Sequence, residues 1–334
     1  MDGLTKPMKK GGYSDSGADL AVALIKSKKI VVSPINSPRE AVDMDWVFPD
    51  NEDGINSALN GKAEIIWLNT VLYADHPIQK YKNKGLEIIG QDPELVEIYD
   101  NKWTTNHLLR QNNIPIPEAF IIRKDAVNHR QIPFNFPFIL KPIRGRGSQG
   151  VTFIEGKKEL ELALEMMFES RLFGTSVYAE SYLSGDEITV TIMPPGNYNL
   201  NNKKQLFKKH WCLPPVLRFN HQYGIAPYSG NVAVIHNSRV LSPKERAAFN
   251  IQKVLSQCVQ AASLLKVKAP IRIDCRADAS GTYYLFDLNL KPNMTGDIRS
   301  GREDQKSLSA LAASAIGWSY IDLVMNIFDQ KWPF

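Results

Sequence analysis

Two aspartates near the C-terminus, Asp274 and Asp287, lie in strand-like tracts on either side of a turn-rich segment. The tracts read IRIDCR at residues 271–276 and YLFDLN at residues 284–289, with the apolar or alternating pattern of half-buried strands. The segment between them, ADASGT, is typical of a chain reversal. We therefore expect an antiparallel hairpin, in which Asp287 and Asn289 share one face because they are two residues apart.

A register that also places Asp274 on that face brings three oxygen donors together. Carboxylate and amide oxygens suit Mg²⁺, especially where nucleotide phosphates complete its coordination. The sequence thus predicts a Mg²⁺ site on this hairpin. Solvated acidic side chains are the alternative that these residues alone leave open.

A glycine-rich loop follows Lys141, at the end of a predicted strand, and reads PIRGRGSQG at residues 142–150. Its backbone N–H groups and its arginines could close over phosphates. The loop is not a P-loop, since the Gly-Lys-Ser/Thr end is missing and a strand follows it. An ordinary flexible turn is the alternative.

Further on, Glu180 ends one predicted strand and Glu187 opens the next. A turn between two carboxylates suits an adenosine, whereas a plain surface turn is the alternative.

The overall composition narrows the class of ligand. The chain has 334 residues, 43% hydrophobic and 22% charged, which is an ordinary globular composition. Its net charge of +5 fits a small anionic ligand, and no dense Lys/Arg block of the kind typical of nucleic-acid binders is present. The three cysteines show no metal-binding spacing, which favours a reducing cytoplasmic setting. We expect no signal peptide and no membrane span; a homodimer is left open.

Three units are predicted along the chain. Residues 1–95 form an α/β unit with a parallel sheet that includes strands at 30–32 and 63–68. Residues 96–188, with many strands and one helix, form an antiparallel α+β unit. Residues 189–334 contain a long loop at 194–232, a helix capped at Ser242 and the acidic hairpin.

The order of the charged residues resembles that of the ATP-grasp superfamily, and most closely that of its D-alanine–D-alanine ligase branch of carboxylate–amine ligases. The tract DLNLKPNMT at 287–295 is similar to the family's Glu-x-Asn-x-x-Pro-Gly-Met-Thr. The resemblance covers roughly residues 95–325, with a fainter match at 11–14. It implies a three-domain ATP-grasp architecture of mixed α/β and α+β type, with ATP held between the central and C-terminal domains.

The resemblance also implies a role for each matching residue. ATP phosphates would be contacted by Lys102, Lys141, Arg146 and Ser148, adenosine by Glu180, Tyr182 and Glu187, and Mg²⁺ or Mn²⁺ by Asp274, Asp287 and Asn289. Arg272 would stabilise the acyl phosphate and the oxyanion formed when an amine attacks, so that Arg272, Lys141 and Ser148 form the implied catalytic set.

Departures from the family pattern fall near the substrate end. Ser16, beside Asp15, stands where the family has a glutamate that holds the substrate ammonium. Arg299 lies in the tract where the ligase branch has a small polar residue that binds the D-alanine carboxylate. Asn293 replaces a glycine, and its tolerance of positive φ would preserve the turn. Asp287 replaces a glutamate.

The acceptor pocket is expected to include Arg218 and Tyr223, from the tract at about 195–235.

We predict an ATP-dependent carboxylate–amine ligase that forms an amide or peptide bond through an acyl phosphate. The substrates are expected to be small acids and amines such as amino acids or peptides, but not two D-alanines. One alternative is an ATP-binding ATP-grasp protein without ligase activity, serving as a sensor or subunit. A kinase-like use of the fold is another.

Overall fold

The computed structural model describes residues 11–126, 132–145, 147–221, 224–225 and 232–334. Its helices are α1 (Ser14–Lys26), α2 (Glu52–Asn60), α3 (Pro93–Tyr99), α4 (Lys102–Gln111), α5 (Lys157–Glu169), α6 (Pro243–Arg246), α7 (Phe249–Leu264), α8 (Leu308–Ser314) and α9 (Tyr320–Phe328). Side-chain oxygens accept a backbone N–H at the start of six of them, at Asn51, Asp92, Asn101, Ser242, Ser307 and Ser319. None of the described helices is long and apolar enough to cross a membrane.

The strands are β1 (Ile65–Trp67), β2 (Glu87–Ile89), β3 (Ala119–Arg123), β4 (Phe138–Pro142), β5 (Thr152–Ile154), β6 (Ser176–Ser181), β7 (Glu187–Met193), β8 (Gly196–Leu200), β9 (Lys203–Phe207), β10 (Trp211–Cys212), β11 (Val216–Arg218), β12 (Ser238–Val240), β13 (Ile271–Ala277), β14 (Tyr283–Asn289) and β15 (Trp332–Pro333). They form sheets in the orders β1-β2-β15, β3-β6-β4-β5 and β12-β11-β7-β13-β14, where β10 also pairs with β7, and a hairpin of β8 with β9. The mixed α/β and α+β fold is the one that the sequence predicts.

The N-terminal pair β1 and β2 is parallel, and the sheet of β3 to β6 is antiparallel, as expected for these two tracts. The last strand, β15, adds to the N-terminal sheet, with Trp332 opposite Ile88. The C-terminal residues therefore pack with a sheet whose other two strands come from the N-terminal part of the chain. The bounds of the three predicted domains stay a prediction.

Two predicted elements are wrong. Residues 30–32 form no strand, and Ile30 is 98% exposed, because the chain turns at Lys28 (φ 61°) and leaves this apolar tract without a neighbouring strand. The predicted long loop at 194–232 contains β8 to β11 in its described part. Asn201 and Asn202, both at positive φ, make the two-residue turn between β8 and β9.

The six-stranded sheet has one apolar face and one charged face. On β13, Ile271, Ile273 and Cys275 are fully buried in a core that includes residues of α7. The alternate residues of β13, among them Arg272 and Asp274, point to the opposite face. Burial of the apolar face against α7 therefore fixes which side chains are presented on the other side of the sheet.

A buried ion cluster joins α1 to the loop at 296–302. Asp19 is fully buried; it accepts from Arg299 Nε (2.6 Å), Arg302 Nη2 (3.1 Å) and the Gly296 N–H (3.1 Å). The Arg299 guanidinium also donates to Asp43 Oδ1 at 2.8 Å. These charges compensate one another, so removal of one would leave another buried without its partner.

Replacing Arg299 with methionine should lower the free energy of unfolding by about 3–5 kcal/mol, the cost of breaking a buried ion pair from one side. Chemical denaturation measures this change. The control is Lys157→Met, which breaks the exposed pair with Glu161 on α5 and should cost no more than about 1 kcal/mol. Equal losses in the two variants would contradict a stabilising role for the cluster.

Candidate active site

The register of the acidic hairpin places its oxygen donors on one face. Asp274 lies directly opposite Asp287, and Arg272 directly opposite Asn289. Directly opposite residues of an antiparallel pair share a face of the sheet. The two aspartates and Asn289 are thus neighbours, as the predicted Mg²⁺ site requires.

A one-residue irregularity interrupts this pairing next to the aspartates. Asp274 pairs with Asp287, but the next residue, Cys275, pairs with Leu285, so Phe286 is the extra residue of a β-bulge. Leu285 can therefore enter the core, where it is fully buried, while both Phe286 and Asp287 line the cavity on the opposite face.

The charged face continues across the sheet in rows. In one row Arg218 of β11, Glu187 of β7 and Arg276 of β13 lie side by side. In the next row Thr189 lies opposite Asp274 and donates a 2.7 Å hydrogen bond to its carboxylate. Arg272 and Asp274 also pair along β13, through contacts of 3.1 Å. Positive and negative side chains alternate, which keeps each charge close to an opposite one.

This charged face forms one wall of a cavity whose other wall comes from the sheet of β3 to β6 and the glycine-rich loop. The cavity is lined by most of the residues predicted from the sequence: Lys102, Lys141, Ser148, Glu180, Tyr182, Glu187, Arg218, Arg272, Asp274, Asp287, Asn289 and Asn293. Two other predicted residues, Arg146 and Tyr223, lie outside the described residues.

Lys141 and Glu180 form a buried pair, with Nζ 2.6 Å from Oε1. Lys141 also donates to the Phe286 carbonyl at 2.9 Å, which links β4 to the acidic hairpin. Burial raises the pKa of Glu180 above its usual value, although Lys141 opposes this. The second carboxylate oxygen, Oε2, is buried without a hydrogen-bond partner among the described residues. Glu180 can therefore accept one more donor from a ligand.

Lys102 lies 3.4 Å from Asp287 Oδ1 and donates to the Gly145 carbonyl at 3.1 Å. Burial alone would raise the pKa of Asp287, but the surrounding cations Lys102, Lys141 and Arg272 outweigh it, and the pKa lies below its usual value. Asp287 is therefore an anion at neutral pH. The contact with Gly145 links Lys102 to the glycine-rich loop.

The loop itself contains left-handed backbone at Gly147 (φ 62°) and Ser148 (φ 59°). Gly150 is also left-handed (φ 71°), and a Cβ there would lie 2.9 Å from atoms of Phe173 and Pro142. Glycine at position 150 is therefore required both by backbone conformation and by space.

Two residues without an individually predicted role, Arg276 and His221, organise the far end of the cavity. Arg276 lies beside Glu187 and over the Tyr182 ring, with its Cζ 5.0 Å from the ring centroid. It also donates to the Gly224 carbonyl, and His221 Nε2 lies 2.9 Å from Glu187. The signal for Arg276 was present in the sequence, because it lies two residues after Asp274 on the same strand.

Three residues predicted to contact substrate do not line the cavity. Ser16 is fully buried; its hydroxyl donates to the Tyr13 carbonyl and accepts from Asn69. The Asp15 carboxylate accepts from its own helix, at the Ser16 N–H (2.7 Å), and lies 3.5 Å from Arg302. Arg299 belongs to the ion cluster with Asp19. Ser16 and Arg299 therefore do not face the cavity in this structure, because both side chains are already used in packing; their contact with substrate stays a prediction.

Asn293 was expected to adopt a positive φ in place of the family's glycine, and it does not. It is not among the described residues with positive φ, so the position does not require the backbone freedom of glycine. Its Nδ2 donates to Thr295, whereas its Oδ1 is buried without a partner among the described residues. Asn293 therefore offers one unused acceptor at the cavity wall.

The donor set of the hairpin suits Mg²⁺ bound together with phosphates. Within the described part of the chain, no three His, Cys, Asp or Glu side chains are grouped so as to hold a metal ion by themselves. Mg²⁺ in nucleotide sites commonly uses one or two carboxylates and completes its octahedron with phosphate and water oxygens. Asp274, Asp287 and Asn289 match that requirement.

Known proteins with related sequences and structures identify the family of this chain. The sequence model of the family described as "D-ala D-ala ligase C-terminus" matches residues 108–329. A D-alanine–D-alanine ligase of Trichlorobacter lovleyi is 28% identical over 182 residues. The match covers 54% of this chain and 51% of that protein, so it spans about half of that relative's length. One of Francisella tularensis subsp. novicida is 23% identical and covers 96% of this chain and 88% of its own.

Among solved structures, the D-alanine–D-alanine ligase of Bacillus anthracis in complex with ATP superimposes with a TM-score of 0.62. The two chains share 19% identity, and the match covers 97% of this chain and 93% of that one. The chain belongs to the D-alanine–D-alanine ligase C-terminal family. It is an ATP-grasp ligase of the carboxylate–amine class.

Replacing Lys141 with methionine should lower the free energy of unfolding by about 3–5 kcal/mol, because Glu180 would lose its buried cation. The double variant Lys141→Met, Glu180→Gln should recover most of this loss, since neither charge is then left alone. Calorimetric titration should show weak binding of a non-hydrolysable ATP analogue to both variants. Wild-type affinity in the stable double variant would contradict a phosphate-binding role for Lys141.

Proposed function

We propose that this chain joins a small carboxylic acid to an amine through an acyl phosphate. The acid's carboxylate oxygen attacks the γ-phosphorus of ATP, the bond to ADP breaks, and an acyl phosphate forms. The amine then attacks the acyl carbon and releases inorganic phosphate, leaving an amide. The main support is the cavity itself, which brings together the lysines, Arg272 and the paired aspartates.

The nucleotide end supports ATP as the phosphate donor. Lys102 and Lys141 lie where they can exchange their carboxylate partners for phosphate oxygens. Phosphoryl transfer depends chiefly on such charge neutralisation and alignment. Glu180 Oε2 is buried without a partner in the described chain, and it would accept the adenine amino group. Ser148 and Arg146 are proposed to contact the phosphates, Tyr182 to contact the base, and Glu187 to bind the ribose hydroxyls.

Mg²⁺ is proposed to be held by Asp274, Asp287 and Asn289, where it would neutralise phosphate charge and orient the nucleotide. Thr189 and Arg272 fix the orientation of the Asp274 carboxylate through their hydrogen bonds. The depressed pKa of Asp287 keeps that side chain ionised, as a metal ligand must be.

Arg272 is proposed to stabilise the developing oxyanion during amide formation. One well-placed donor of this kind typically contributes about 100- to 1,000-fold in rate. The amine must be neutral when it attacks, and the nearby cations Arg218 and Arg272 favour that form by lowering the pKa of a bound ammonium. Asn293 Oδ1, an unused acceptor, is proposed to receive an amine N–H.

The substrates are proposed to differ from two D-alanines, although the curated relatives named above are D-alanine–D-alanine ligases. Ser16 and Arg299 stand at two positions that bind substrate in the ligase branch, and both are occupied in packing here. A cytoplasmic setting is proposed as well, since Cys212, Cys258 and Cys275 are all free thiols.

The first test uses Asp287→Ala, with ADP release measured across a panel of acids and amines. Turnover should fall to background while the fold persists by circular dichroism, because a charge that orients the nucleotide is lost. Asp278→Ala, at the exposed turn of the same hairpin, is the control and should remain active. Turnover retained in Asp287→Ala would refute the metal assignment. ATP binding without any turnover in the wild type would favour a sensor or subunit.

The second test measures ADP release with D-alanine as the sole acid and amine, and then with the panel. We expect little activity with D-alanine alone and a clear requirement for both an acid and an amine in the best pair. Full activity with D-alanine alone would overturn the proposal on substrates while leaving the ligase assignment intact.

A further inference from the structure

The cavity wall contains no carboxylate that is free of a cationic partner within the described residues. Its four carboxylates are paired as Lys141 with Glu180, His221 and Arg276 with Glu187, Arg272 with Asp274, and Lys102 with Asp287. With Mg²⁺ in place, Asp274 and Asp287 would face the metal and be still less available. Among the described residues of the wall, a substrate ammonium would therefore find no carboxylate that lacks a cationic partner.

The segment that follows β11, which contributes Gly224 and Ile225 to the cavity, cannot supply that carboxylate either, because the sequence from residue 188 to residue 244 contains no Asp and no Glu. On the N-terminal side, the carboxylate of Asp15 is held by Arg302 and by a helix N–H, and Ser16 points into the core.

Two guanidiniums line the wall at this end, that of the buried Arg218 and that of the half-buried Arg272. Arg218 on β11 is 8% exposed and lies beside Glu187 of β7. Arg272 on β13 lies opposite Thr191, two rows further along the same face, and its guanidinium reaches back to Asp274 in the row between. Burial is the main cause of a lowered pKa for Arg218; the carboxylates of Glu187 and Asp274 oppose the shift, and the charge of Arg272 adds to it. The two side chains suit an anionic group, and they repel an ammonium at the same place.

We propose that the acid substrate carries no free α-ammonium group, and that its carboxylate is bound by Arg218 together with Arg272. The chemical class is an N-acylated amino acid, a peptide used through its C-terminal carboxylate, or another carboxylic acid that is uncharged next to the reacting group. This inference rests on the proposed ligase function and specifies the acid that it activates. Arg218 becomes a specificity-determining residue for that acid.

The chemistry can be followed without knowing the amine. The acid and ATP give an acyl phosphate and ADP. Hydroxylamine added to the reaction attacks the acyl carbon, forms a hydroxamate and releases phosphate, so the coloured iron complex of the hydroxamate reports the acyl phosphate directly. The nucleophile is supplied in excess, and the only variable is the acid.

The experiment compares the standard amino acids, in both L and D forms, with their N-acetyl derivatives as acids for the wild-type protein. The N-acetyl forms should give higher kcat/KM than the matched free amino acids, by about 10- to 100-fold, the range expected when a charge is left unpaired in a buried site. Equal or better use of the free amino acids would overturn the inference and leave the ligase function standing. No hydroxamate with any acid would overturn both.

A variant pair then assigns the preference to Arg218. Arg218→Met should raise KM for the N-acetyl acid by about 10-fold or more, as expected for a lost hydrogen bond to a charged group. It should also reduce the preference over the free amino acid, while KM for ATP changes little. Arg218→Lys, which keeps a charge without the planar fork, should restore part of the preference.

The matched control is Arg239→Met on the neighbouring strand β12, where Arg239 is exposed and pairs with Glu245. The Arg239→Met variant should prefer the N-acetyl acid over the free amino acid to the same extent as the wild-type protein. Binding of an ATP analogue verifies that each variant is folded. An unchanged preference in folded Arg218→Met would overturn the role given to Arg218.

Discussion

The pairing of β13 with β14 decides where the charges of the cavity lie. One face of this hairpin must carry Cys275 and Leu285 into the core, and the other must carry Asp274 and Asp287 to the cavity. Strict alternation cannot satisfy both demands, because Leu285 and Asp287 are two residues apart and would share a face. The extra residue at Phe286 resolves the conflict. The Phe286 carbonyl also accepts from Lys141, so the bulge connects the acidic hairpin to the opposite wall.

Charge compensation follows from that geometry. The charged side chains of the wall are largely desolvated, and an isolated buried charge would be costly, so the lysines and carboxylates pair with one another, Lys102 with Asp287 and Lys141 with Glu180. Under the proposed function, binding of phosphate and metal would exchange one set of ion pairs for another without exposing a lone charge. The side chains would lose little further freedom because they are already ordered.

Sequence patterns predicted the parts of the site that depend on local spacing. Strand alternation gave the shared face of Asp287 and Asn289, and the order of charged residues along the chain indicated which tracts meet at the cavity. Patterns could not predict interactions between distant segments. Neither the bulge at Phe286 nor the pairing of Arg299 with Asp19 has a local signature, since each depends on packing against a remote element. The strand predicted at 30–32 was wrong for the same reason. The composition of this tract suits a strand, but no other strand lies beside it to form the hydrogen bonds.

The residues that depart from the family pattern near the predicted substrate end are held in place by one ion cluster. The loop at 296–302 is fixed to α1 by Asp19, which accepts from both Arg299 and the Gly296 N–H, so this loop presents its arginines to the protein and not to a ligand. Under the proposed function, substrate discrimination would then come from the sheet, where Arg218 and Arg272 line the cavity. Because these cations attract a carboxylate and repel an ammonium, we expect the acid to be selected by its charge before it is selected by its shape.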